Sequence, residues 1–507
     1  MLLNPTAAIS TNDSIRLYNA AQSKQLDQSA QQTHHIPGIL LMKRAAWFSW
    51  QIIRQQCPNT QQLIILCGTG SNGGDGFMLA QYAKLAGIES TVYLYGADEK
   101  ISGDARIAYR EWQKINGLTL PLENLIPSEI DAQMVLVDAL FGTGLNRELK
   151  PNLSKILHKL AHTPAPICAL DLPSGLDCDS GNLLGYALSA NFTCSFITPK
   201  LGCFTQQGPD VCGQIFFSDL NLNHDAPDLL LQAPYLANSR SLQACKNALP
   251  RRHANTHKGN QGSALLIGGN RSMMGAIQLA ASSALKSGCG LCKVVSQNEH
   301  LLFLSAQQPE VMGYDISHAN QLILQADAIA IGPGLGTDEW ARKLLQQTLQ
   351  KPTKTPIVID ADGLKLLAEN PNMEPIENLI CTPHPGEAAL LLGCTTADIQ
   401  RDRIAAIKTL QQKYGGVMVL KGNGSLIYDG THLELCRAGN PGMAIGGMGD
   451  VLTGTIVALL AQGLSAFDAA CLGVHLHANA ADSIAQQKGQ AGLLPSELGQ
   501  CYPQLLG

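Results

Sequence analysis

The sequence lacks the features that mark secreted, membrane-spanning and nucleic-acid-binding proteins. Residues 1–5 have neither the charged segment nor the long apolar core of a signal peptide. The most apolar run, 451–460, is too short to span a bilayer and is better explained as a buried helix. With a net charge of −5, the chain has no basic excess that would attract nucleic acid or an anionic membrane. We therefore expect a cytoplasmic protein that binds neither.

A disulfide framework is also missing. The chain has 15 cysteines, an odd number, and they are scattered without framework spacing. We expect free thiols in a reducing compartment. Cys289 and Cys292 form a CxxC pair, but no second pair stands at zinc spacing, so we predict that both are buried strand cysteines.

What the chain does have is a repeated alternation of short apolar runs and glycine turns. Its 507 residues exceed one ordinary domain, and its 45% hydrophobic and 15% charged residues are typical of a globular protein. The runs lie at 63–67, 134–138, 167–171, 264–267, 328–331, 357–360, 379–381 and 417–420. Strands alternating with helical segments predict an α/β protein with parallel sheets. The stretch 219–250 shows little periodicity, so we place a boundary there, giving domains 1–235 and 236–507.

Three strands of the first half each end in a turn with glycine and aspartate. The carboxyl ends of neighbouring parallel strands lie at one edge of the sheet, so the three turns should converge. Asn72, Asp138 and Ser174 stand at these strand ends, and their oxygens could hold a monovalent or divalent cation. The alternative for SNGGDG at 71–76 is a tight turn whose asparagine and aspartate only adopt unusual dihedral angles.

Four motifs in order make about residues 10–220 resemble the NAD(P)H-hydrate epimerase domain. They are SNGGDG at 71–76, VDALFGTGLNRE at 137–148, LDLPSGLD at 170–177 and ITPKLG at 197–202. The resemblance implies a Rossmann-like three-layer fold that binds a hydrated nicotinamide dinucleotide beside a potassium ion. The family usually has asparagine where this chain has Ser71, and an acidic-Asn-Ala run where it has Lys43-Arg44-Ala45-Ala46.

The same resemblance implies roles for individual residues. Asn72, Asp138 and Ser174 correspond to the potassium ligands, and Asp171 to an acid/base that interconverts the R and S hydrates. The implied substrate contacts are Ser71, Asn72, Gly73, Gly74, Asp75, Gly142, Thr143, Gly144, Leu145, Asn146, Arg147, Glu148 and Asp171.

In the second half, GGMGD at 446–450 precedes an apolar run that predicts a helix. Glycines at a helix start expose N–H groups at the positive end of the dipole, which favours phosphate. Asp450 could take a proton from a group beside that phosphate, whereas a simple helix N-cap aspartate is the alternative.

Two further loops of the second half carry polar residues after a strand. KGNGS at 421–425 suits nucleotide phosphates, with Lys421 as a point charge, although an ordinary hairpin turn is the alternative. TPHPGE at 382–387 places His384 between two prolines at a strand end, a position that favours ligand contact. In contrast, His475 and His477 lie within a helical pattern and are expected in the core or on the surface.

These motifs, with GPGLG at 332–336, make about residues 245–500 resemble the ribokinase-like superfamily. Within it, they are most similar to the ADP-dependent NAD(P)H-hydrate dehydratases. The resemblance implies a doubly wound domain that uses Mg²⁺ and ADP, with Asp450 as catalytic base. The residues implied to face the hydrated dinucleotide are Ala276, Gly334, His384 and Asp450. Those implied to face the nucleotide are Lys421, Gly422, Asn423, Gly424, Ser425 and Gly449.

Together the two resemblances imply repair of hydrated NADH and NADPH by a homo-oligomer. The first domain would epimerise the R and S hydrates, and the second would dehydrate the S hydrate with ADP, giving AMP and phosphate. One alternative is a small-molecule kinase for a vitamin precursor with a dinucleotide-binding regulatory domain, because a GxGD motif alone fits both. Another is a first domain that only recruits or regulates a partner.

Overall fold

The computed structural model describes residues 7–351, 354–370 and 373–507. Residues 1–6, on which the expectation about a signal peptide rests, lie outside the described residues. The chain forms two compact units: unit 1 extends to Ala237, and unit 2 begins at Asn238. Within the described ranges, every helix is too short or too polar to cross a bilayer.

Unit 1 is built on a parallel sheet with the strand order β4-β3-β2-β5-β6-β7-β8. The strands of unit 1 are β1 (Ile15–Leu17), β2 (Gln62–Cys67), β3 (Glu89–Leu94), β4 (Leu118–Pro121), β5 (Met134–Ala139), β6 (Ile167–Leu170), β7 (Phe192–Phe196) and β8 (Gln214–Ser218). Its helices are α1 (Ala20–Gln32), α2 (Gly38–Gln56), α3 (Ser71–Leu85), α4 (Gly103–Lys114), α5 (Pro151–Leu160), α6 (Gly208–Cys212), α7 (Leu222–Asp225) and α8 (Pro227–Gln232).

The sheet of unit 1 is covered on both faces, because successive residues of a strand point to opposite sides. Leu63 and Ile65 of β2 pack with α2, α3 and α4, whereas Ile64 and Leu66 pack with α5. A run without polar alternation, such as 63–66, is therefore what a doubly covered parallel strand requires. The three-layer α/β fold predicted for the first half is confirmed.

The predicted convergence of three strand ends is also confirmed. Strands β2, β5 and β6 are neighbours and run parallel, with Leu66 opposite Asp138 and Asp138 opposite Ala169. The turns that follow them therefore meet at one edge of the sheet.

The glycine motif at 71–76 departs from the predicted turn. Helix α3 begins at Ser71, inside the motif, and neither Asn72 nor Asp75 has a positive φ, so the alternative with unusual dihedral angles is wrong. The two glycines serve packing: a Cβ on Gly73 would lie 1.9 Å from the carbonyl oxygen of Gly68. A Cβ on Gly74 would lie 2.9 Å from Cα of Ala105. The helix can form there because close packing outweighs the poor helix propensity of glycine.

Unit 2 contains a longer sheet with the order β9-β18-β17-β16-β15-β14-β13-β10-β11-β12. The strands are β9 (Ala237–Ser239), at the start of the unit, β10 (Ser263–Ile267), β11 (Leu291–Val295), β12 (Val311–Tyr314), β13 (Ala328–Ile331), β14 (Ile357–Ile359), β15 (Leu379–Cys381), β16 (Val417–Leu420), β17 (Ser425–Tyr428) and β18 (Leu433–Cys436). The helices are α9 (Leu242–Lys246), α10 (Met274–Lys286), α11 (Asn298–Gln307), α12 (Ala319–Gln325), α13 (Glu339–Leu349), α14 (Ala361–Ala368), α15 (Pro385–Leu392), α16 (Thr396–Arg401), α17 (Arg403–Tyr414), α18 (Met448–Ala461), α19 (Ala466–Lys488) and α20 (Pro495–Leu506).

Most strand pairs of unit 2 are parallel, and β17 is antiparallel to both of its neighbours. The buried helix predicted at 451–460 is part of α18, which packs so tightly on α10 that a Cβ on Gly454 would lie 2.0 Å from the carbonyl oxygen of Ala280. Cys292 lies buried in β11, as predicted, whereas Cys289 is buried in the turn before that strand.

The stretch 219–250, expected to be irregular, contains the short helices α7, α8 and α9. Helices of four to six residues are shorter than two turns, so their sequences show no helical periodicity.

Candidate active sites

The first candidate site, in unit 1, centres on an ion pair between Asp171 and Lys200. The Lys200 side chain is only 2% exposed, and its ammonium contacts Oδ1 of Asp171. It also donates to the carbonyl oxygen of Phe196 at 2.6 Å and to Oγ of Ser195 at 3.3 Å. Asp171 itself has a φ of +67°, a left-handed conformation that costs a non-glycine residue on the order of 1 kcal/mol. A carboxylate on a strained stretch of backbone, paired with a buried ammonium, is a typical arrangement for a reactive group.

The loop after β5 covers the other oxygen of that carboxylate. The backbone N–H of Thr143 donates to Oδ2 of Asp171 at 3.3 Å. A Cβ on Gly142 would lie 2.9 Å from the same oxygen, so the loop can approach only with glycine there. Along the rest of the loop, Gly144 and Asn146–Glu148 are exposed.

Asp138 and Ser174 contact each other at the neighbouring strand end. Both are buried, and Ser174 donates its N–H to Oδ2 of Asp138 at 2.8 Å and its hydroxyl to Oδ1 at 2.6 Å. Burial raises the pKa of Asp138, although hydrogen bonds from Ser174 and Leu140 oppose this shift. A carboxylate in such a place is stabilised by a nearby cation.

Asn72 is buried beside this group without a hydrogen bond to its amide. Its side-chain oxygen and nitrogen are both unpaired within the described part of the chain. It lies against Gly142, because a Cβ there would be 3.6 Å from Cγ of Asn72. An unpaired buried amide costs about 1–3 kcal/mol unless a ligand satisfies it. The donor set of amide, carboxylate and hydroxyl oxygens fits a potassium ion.

Asp75 adds a second carboxyl group within electrostatic reach of Asp171. Burial raises the pKa of Asp75 well above its ordinary value, and the charges of Asp171 and Asp27 raise it further. The exposed Ser71 and the packed Gly73 and Gly74 precede it on α3.

The second candidate site, in unit 2, is organised around Lys421. Its ammonium donates to Oδ1 of Asp360 at 2.9 Å and lies 3.8 Å from Oε2 of Glu387. Burial would lower the pKa of Lys421, but the charges of Asp360 and Glu387 raise it. Thr453 of α18 donates to Oδ2 of Asp360 at 2.7 Å, which fixes this carboxylate between strand β14 and helix α18.

Asp450 stands in the first turn of α18, as the motif predicted. The helix begins after Gly447, whose φ of +98° suits glycine alone. The pKa of Asp450 is raised to about 7, mainly by burial and secondly by the negative charge of Asp360. A carboxyl group with this pKa accepts and releases a proton near neutral pH, the property required of a general base. The N-cap alternative is wrong, because Gly447 occupies the cap position.

Gly449 allows the start of helix α18 to lie against the ion pair of Lys421 and Asp360. A Cβ at this position would lie 3.2 Å from Nζ of Lys421 and 3.3 Å from Oδ2 of Asp360. The N–H groups at the start of α18, which favour an anion, are therefore adjacent to the ammonium of Lys421.

His384 caps helix α15 through its ring. Nδ1 accepts from the N–H groups of Gly386 and Glu387, at 3.0 and 3.3 Å, so Nε2 carries the proton of the neutral ring. Nε2 lies 3.5 Å from Oε1 of Glu387, and the side chain is 57% exposed. The exposed ring can therefore also contact a bound molecule.

The loop KGNGS is a hairpin turn between β16 and β17, and it is held by a buried arginine. Arg403 donates to the carbonyl oxygen of Asn423 at 2.7 Å and to that of Leu420 at 3.0 Å. Ser425 closes the turn, since its hydroxyl donates to the carbonyl oxygen of Gly422 at 3.1 Å. The loop is therefore a hairpin turn, as the alternative predicted. A hairpin turn can still bind phosphate.

Ala276 and Gly334 are brought together at the entrance of α10. A Cβ on Gly334, whose φ is +58°, would lie 3.1 Å from Cβ of Ala276. The same loop reaches the acidic group, because Gly336 donates its N–H to Oδ2 of Asp362 at 2.9 Å. The charge of Asp362 is among those that raise the pKa of Asp450.

The sequence assigned no role to Lys200, Asp360, Thr453 or Arg403. Lys200 lay within the quoted ITPKLG motif, and Asp360 ended the run 357–360, so a signal existed for both. Arg403 and Thr453 lie inside helices and carry no local signal.

Two family models match the chain, one within each unit. A family model described as NAD(P)H-hydrate dehydratase matches residues 264–504, and one described as YjeF-related protein N-terminus matches residues 38–202. The bifunctional NAD(P)H-hydrate repair enzyme of Vibrio cholerae is 41% identical over 489 residues, covering 95% of this chain and 96% of that protein. The enzyme of the same description from Coxiella burnetii is 39% identical, covering 96% of this chain and 98% of that protein.

Among solved structures, a hypothetical protein from Streptococcus mutans is 30% identical, with a TM-score of 0.50. The match covers 53% of this chain and 98% of that protein. These matches confirm the predicted fold class.

Proposed function

The chain belongs to the family of bifunctional NAD(P)H-hydrate repair enzymes, and we propose that each unit carries one of its two reactions. Unit 1 epimerises the R and S hydrates of NADH and NADPH at ring carbon 6. Unit 2 dehydrates the S hydrate with ADP as phosphoryl donor. We keep the predicted domain bounds 1–235 and 236–507, which lie two residues before the division between the units at Ala237. The observation that carries the proposal is Asp450, a carboxyl group with a pKa of about 7 at a glycine-capped helix start beside Lys421.

In unit 2, Asp450 takes the proton of the C6 hydroxyl as that oxygen attacks the terminal phosphoryl group of ADP. The N–H groups at the start of α18 and the ammonium of Lys421 face the transferred phosphoryl oxygens. AMP leaves, and the lone pair of the ring nitrogen then expels phosphate from carbon 6. Loss of a proton from carbon 5 restores NADH or NADPH.

The remaining predicted contacts surround this centre. Lys421, Gly422, Asn423, Gly424, Ser425 and Gly449 hold the nucleotide. Ala276, Gly334 and His384 hold the hydrated dinucleotide, with the Nε2–H of His384 as donor.

The acidic residues around Lys421 fit a magnesium ion. The four carboxyl groups of Asp360, Asp362, Glu387 and Asp450 outnumber the ammonium groups of Lys421 and Lys365, and Mg²⁺ prefers carboxylates together with several waters. Glu387, whose carboxylate lies 3.8 Å from the ammonium of Lys421, would hold the ion through water. When bound, it would neutralise charge on the nucleotide phosphates.

In unit 1, one of the carboxyl groups of Asp171 and Asp75 acts as the acid and the other as the base. The ammonium of Lys200 pairs with Asp171 and orients it, while burial raises the pKa of Asp75 well above its usual range, which favours the protonated form of that carboxyl. The proton of one carboxyl assists departure of the C6 hydroxyl, and the other accepts the proton of the returning water on the opposite face of the ring. The substrate contacts are those predicted from Ser71–Asp75 and Gly142–Glu148.

A potassium ion held by Asn72, Asp138 and Ser174 completes unit 1. The unpaired amide of Asn72 supports this proposal most directly. An ion there would also offset the burial of Asp138.

Cytoplasmic location and homo-oligomeric state stay proposals. The location is supported by the 15 cysteines, which are all free thiols. The preference for ADP over ATP rests on the family alone.

The test uses a mixture of R and S hydrates with ADP, ATP or no nucleotide, and follows the absorbance of regenerated NADH. We expect NADH only with nucleotide, and AMP and phosphate in equal amounts when ADP is used. A small-molecule kinase would consume nucleotide with a vitamin precursor and form no NADH. Absence of NADH with either nucleotide would refute the dehydratase.

A further inference from the structure

A second group of ionisable side chains lies in unit 2 and takes no part in the proposed reactions. Cys245 of α9, Glu434 of β18 and His475 of α19 are all buried, and their ligand atoms lie within 4.8 Å of one another. Arg240 donates its side-chain Nε–H to Oε2 of Glu434 at 3.1 Å. The expectation that His475 is a core residue is thus met in position, but its surroundings are polar.

The ring of His475 faces the carboxylate of Glu434. Nε2 lies 3.3 Å from Oε1 of Glu434, an atom that also accepts the backbone N–H of Arg240 at 2.6 Å. Nδ1 on the other side of the ring lies 3.6 Å from Sγ of Cys436. Such a second contact is what orients the ring of a metal-binding histidine.

The 3.3 Å separation of Nε2 of His475 and Oε1 of Glu434 is that of an ion pair, and it also allows both atoms to bind one tetrahedral zinc ion. Tetrahedral zinc binds imidazole nitrogen and carboxylate oxygen at about 2.0–2.1 Å, which places the two ligand atoms about 3.3 Å apart. A cysteine sulfur, an imidazole nitrogen and a carboxylate oxygen are the donors that zinc selects.

A further thiol, outside the group of three, stands one helical turn away. Cys471 precedes His475 by four residues on α19, so both side chains lie on one face of the helix. Its thiol is buried and within electrostatic reach of Glu434 and Cys245.

We propose that Cys245, Glu434, Cys471 and His475 form a structural site for a divalent cation of the zinc class. Binding displaces the two thiol protons and any proton on Nε2 to solvent, and forms two metal–sulfur bonds, one metal–nitrogen bond and one metal–oxygen bond. Two thiolates and Glu434 exceed the charge of the cation by one, and the guanidinium of Arg240 compensates the excess. The ion joins α9, β18 and α19, and the site is independent of both proposed reactions.

The first measurement is the metal content of the full chain. The protein is produced with zinc in the medium, purified without a metal-affinity step and dialysed against a weak chelator. We expect about one zinc per chain in the wild type. Cys245→Ser and Cys471→Ser should lose most of it. The matched control Cys292→Ser removes another buried thiol, and one half of the CxxC pair, and should keep its zinc.

Replacement by cobalt(II) gives a readout that needs no variant. Thiolate ligands produce a charge-transfer band, and a tetrahedral site gives intense visible absorption. The proposal is refuted if the wild type shows no such band, or if it holds no more zinc than Cys245→Ser. Loss of zinc in Cys292→Ser instead would assign the metal to the CxxC pair and refute it as well.

Discussion

Asp450 shows how one side chain is adjusted by its position. It lies among Asp360, Asp362 and Glu387, with Lys421 as the nearby opposing charge, and burial adds to the effect of the carboxylates. A shift from the ordinary value of 3.8 to about 7 corresponds to a carboxylate that binds a proton tightly but still releases it near neutral pH. The same residue therefore affects both catalysis and stability.

Substituting Asp450 by asparagine should abolish nucleotide-dependent dehydration, because the amide cannot accept the hydroxyl proton. We expect a loss of at least about 100-fold in kcat, the usual contribution of a general base. Epimer exchange, followed by chromatography of the two hydrates, should continue at the wild-type rate. Near-normal dehydration by Asp450→Asn would rule out the role of base.

Dehydration by the wild type should also rise with pH through about 7. The base works only when ionised, and it loses its proton above its pKa. The check is kcat/KM for the S hydrate at saturating ADP between about pH 6 and 8, with a sample without protein as the control for the stability of the substrate. A flat profile would place the essential ionisation elsewhere.

Asp450→Asn should in addition stabilise unit 2 at alkaline pH. A carboxyl group whose pKa is raised on folding stabilises the fold fully below its unfolded pKa of about 4, and this contribution is lost as pH rises through about 7. The asparagine variant avoids that loss, so its advantage over the wild type should grow to about 1–3 kcal/mol at about pH 8. Thermal unfolding at about pH 5 and pH 8 measures the difference, and an equal advantage at both values would contradict it.

At the scale of single residues, the motifs predict the groups to which we assign the reactions, but not the buried residues that contact these groups. Asp450, Asp171 and Asn72 were singled out because their motifs place a polar side chain at a strand end or a helix start. Lys200 was not, because sequence gives no measure of the burial of a lysine, and buried lysines are rare. Arg403 could not be predicted from a local pattern, because its partners are backbone carbonyls about 20 residues away in sequence.

Among the elements, the hairpin of β16 and β17 depends on helix α17 for its shape. Arg403, in the first turn of α17, donates hydrogen bonds to carbonyl oxygens of the hairpin loop. The loop is thus positioned before nucleotide binds, which lowers the cost of ordering it.

Arg403→Lys should therefore weaken nucleotide binding more than turnover. Lysine keeps the charge but cannot donate to several carbonyls in the planar arrangement of a guanidinium. We expect KM for ADP to rise by about 10-fold with little change in kcat. Arg401→Lys on the exposed face of α16 is the matched control and should leave KM unchanged. A similar KM in both variants would refute the positioning role.

The convergence of β2, β5 and β6 leads to a prediction about ions. Epimerisation should be faster in potassium than in tetramethylammonium salts of equal ionic strength, and Asn72→Leu should remove the difference. Leucine fills the volume but offers no oxygen. The exposed neighbour Ser71→Ala should keep the response to potassium. Potassium stimulation of Asn72→Leu equal to that of the wild type would refute the ligand role.

Element types and their order could be predicted from apolar runs and glycine turns, whereas some boundaries could not. Helix α3 starts inside the glycine motif because Gly73 and Gly74 allow contact with Gly68 and Ala105. These partners come from other parts of the chain, so no local pattern shows them.

At the scale of the whole molecule, each unit has its own sheet and its own candidate active centre. Each centre lies at the strand ends of its own sheet, as expected for open parallel sheets. The two reactions should therefore be separable by single substitutions.

Asp171→Asn tests this separation. The variant should dehydrate the S hydrate at the wild-type rate and leave the R hydrate behind, because only the proposed epimerase converts R into S. A mixture of Asp171→Asn and Asp450→Asn proteins should restore full conversion, and a sample without protein measures spontaneous exchange. Full consumption of both hydrates by Asp171→Asn alone would show that this residue is not required.

The covalent link between the two units has a consequence for gene expression. Every translated chain supplies one copy of each unit, so a change in transcription or translation cannot alter their ratio. A premature stop codon after residue 238 would remove dehydration and spare the coding sequence of unit 1, whereas no truncation from the carboxyl end would do the reverse. Mutant screens that score only the final product would therefore map lesions to both halves, and only assays of the individual hydrates would tell them apart.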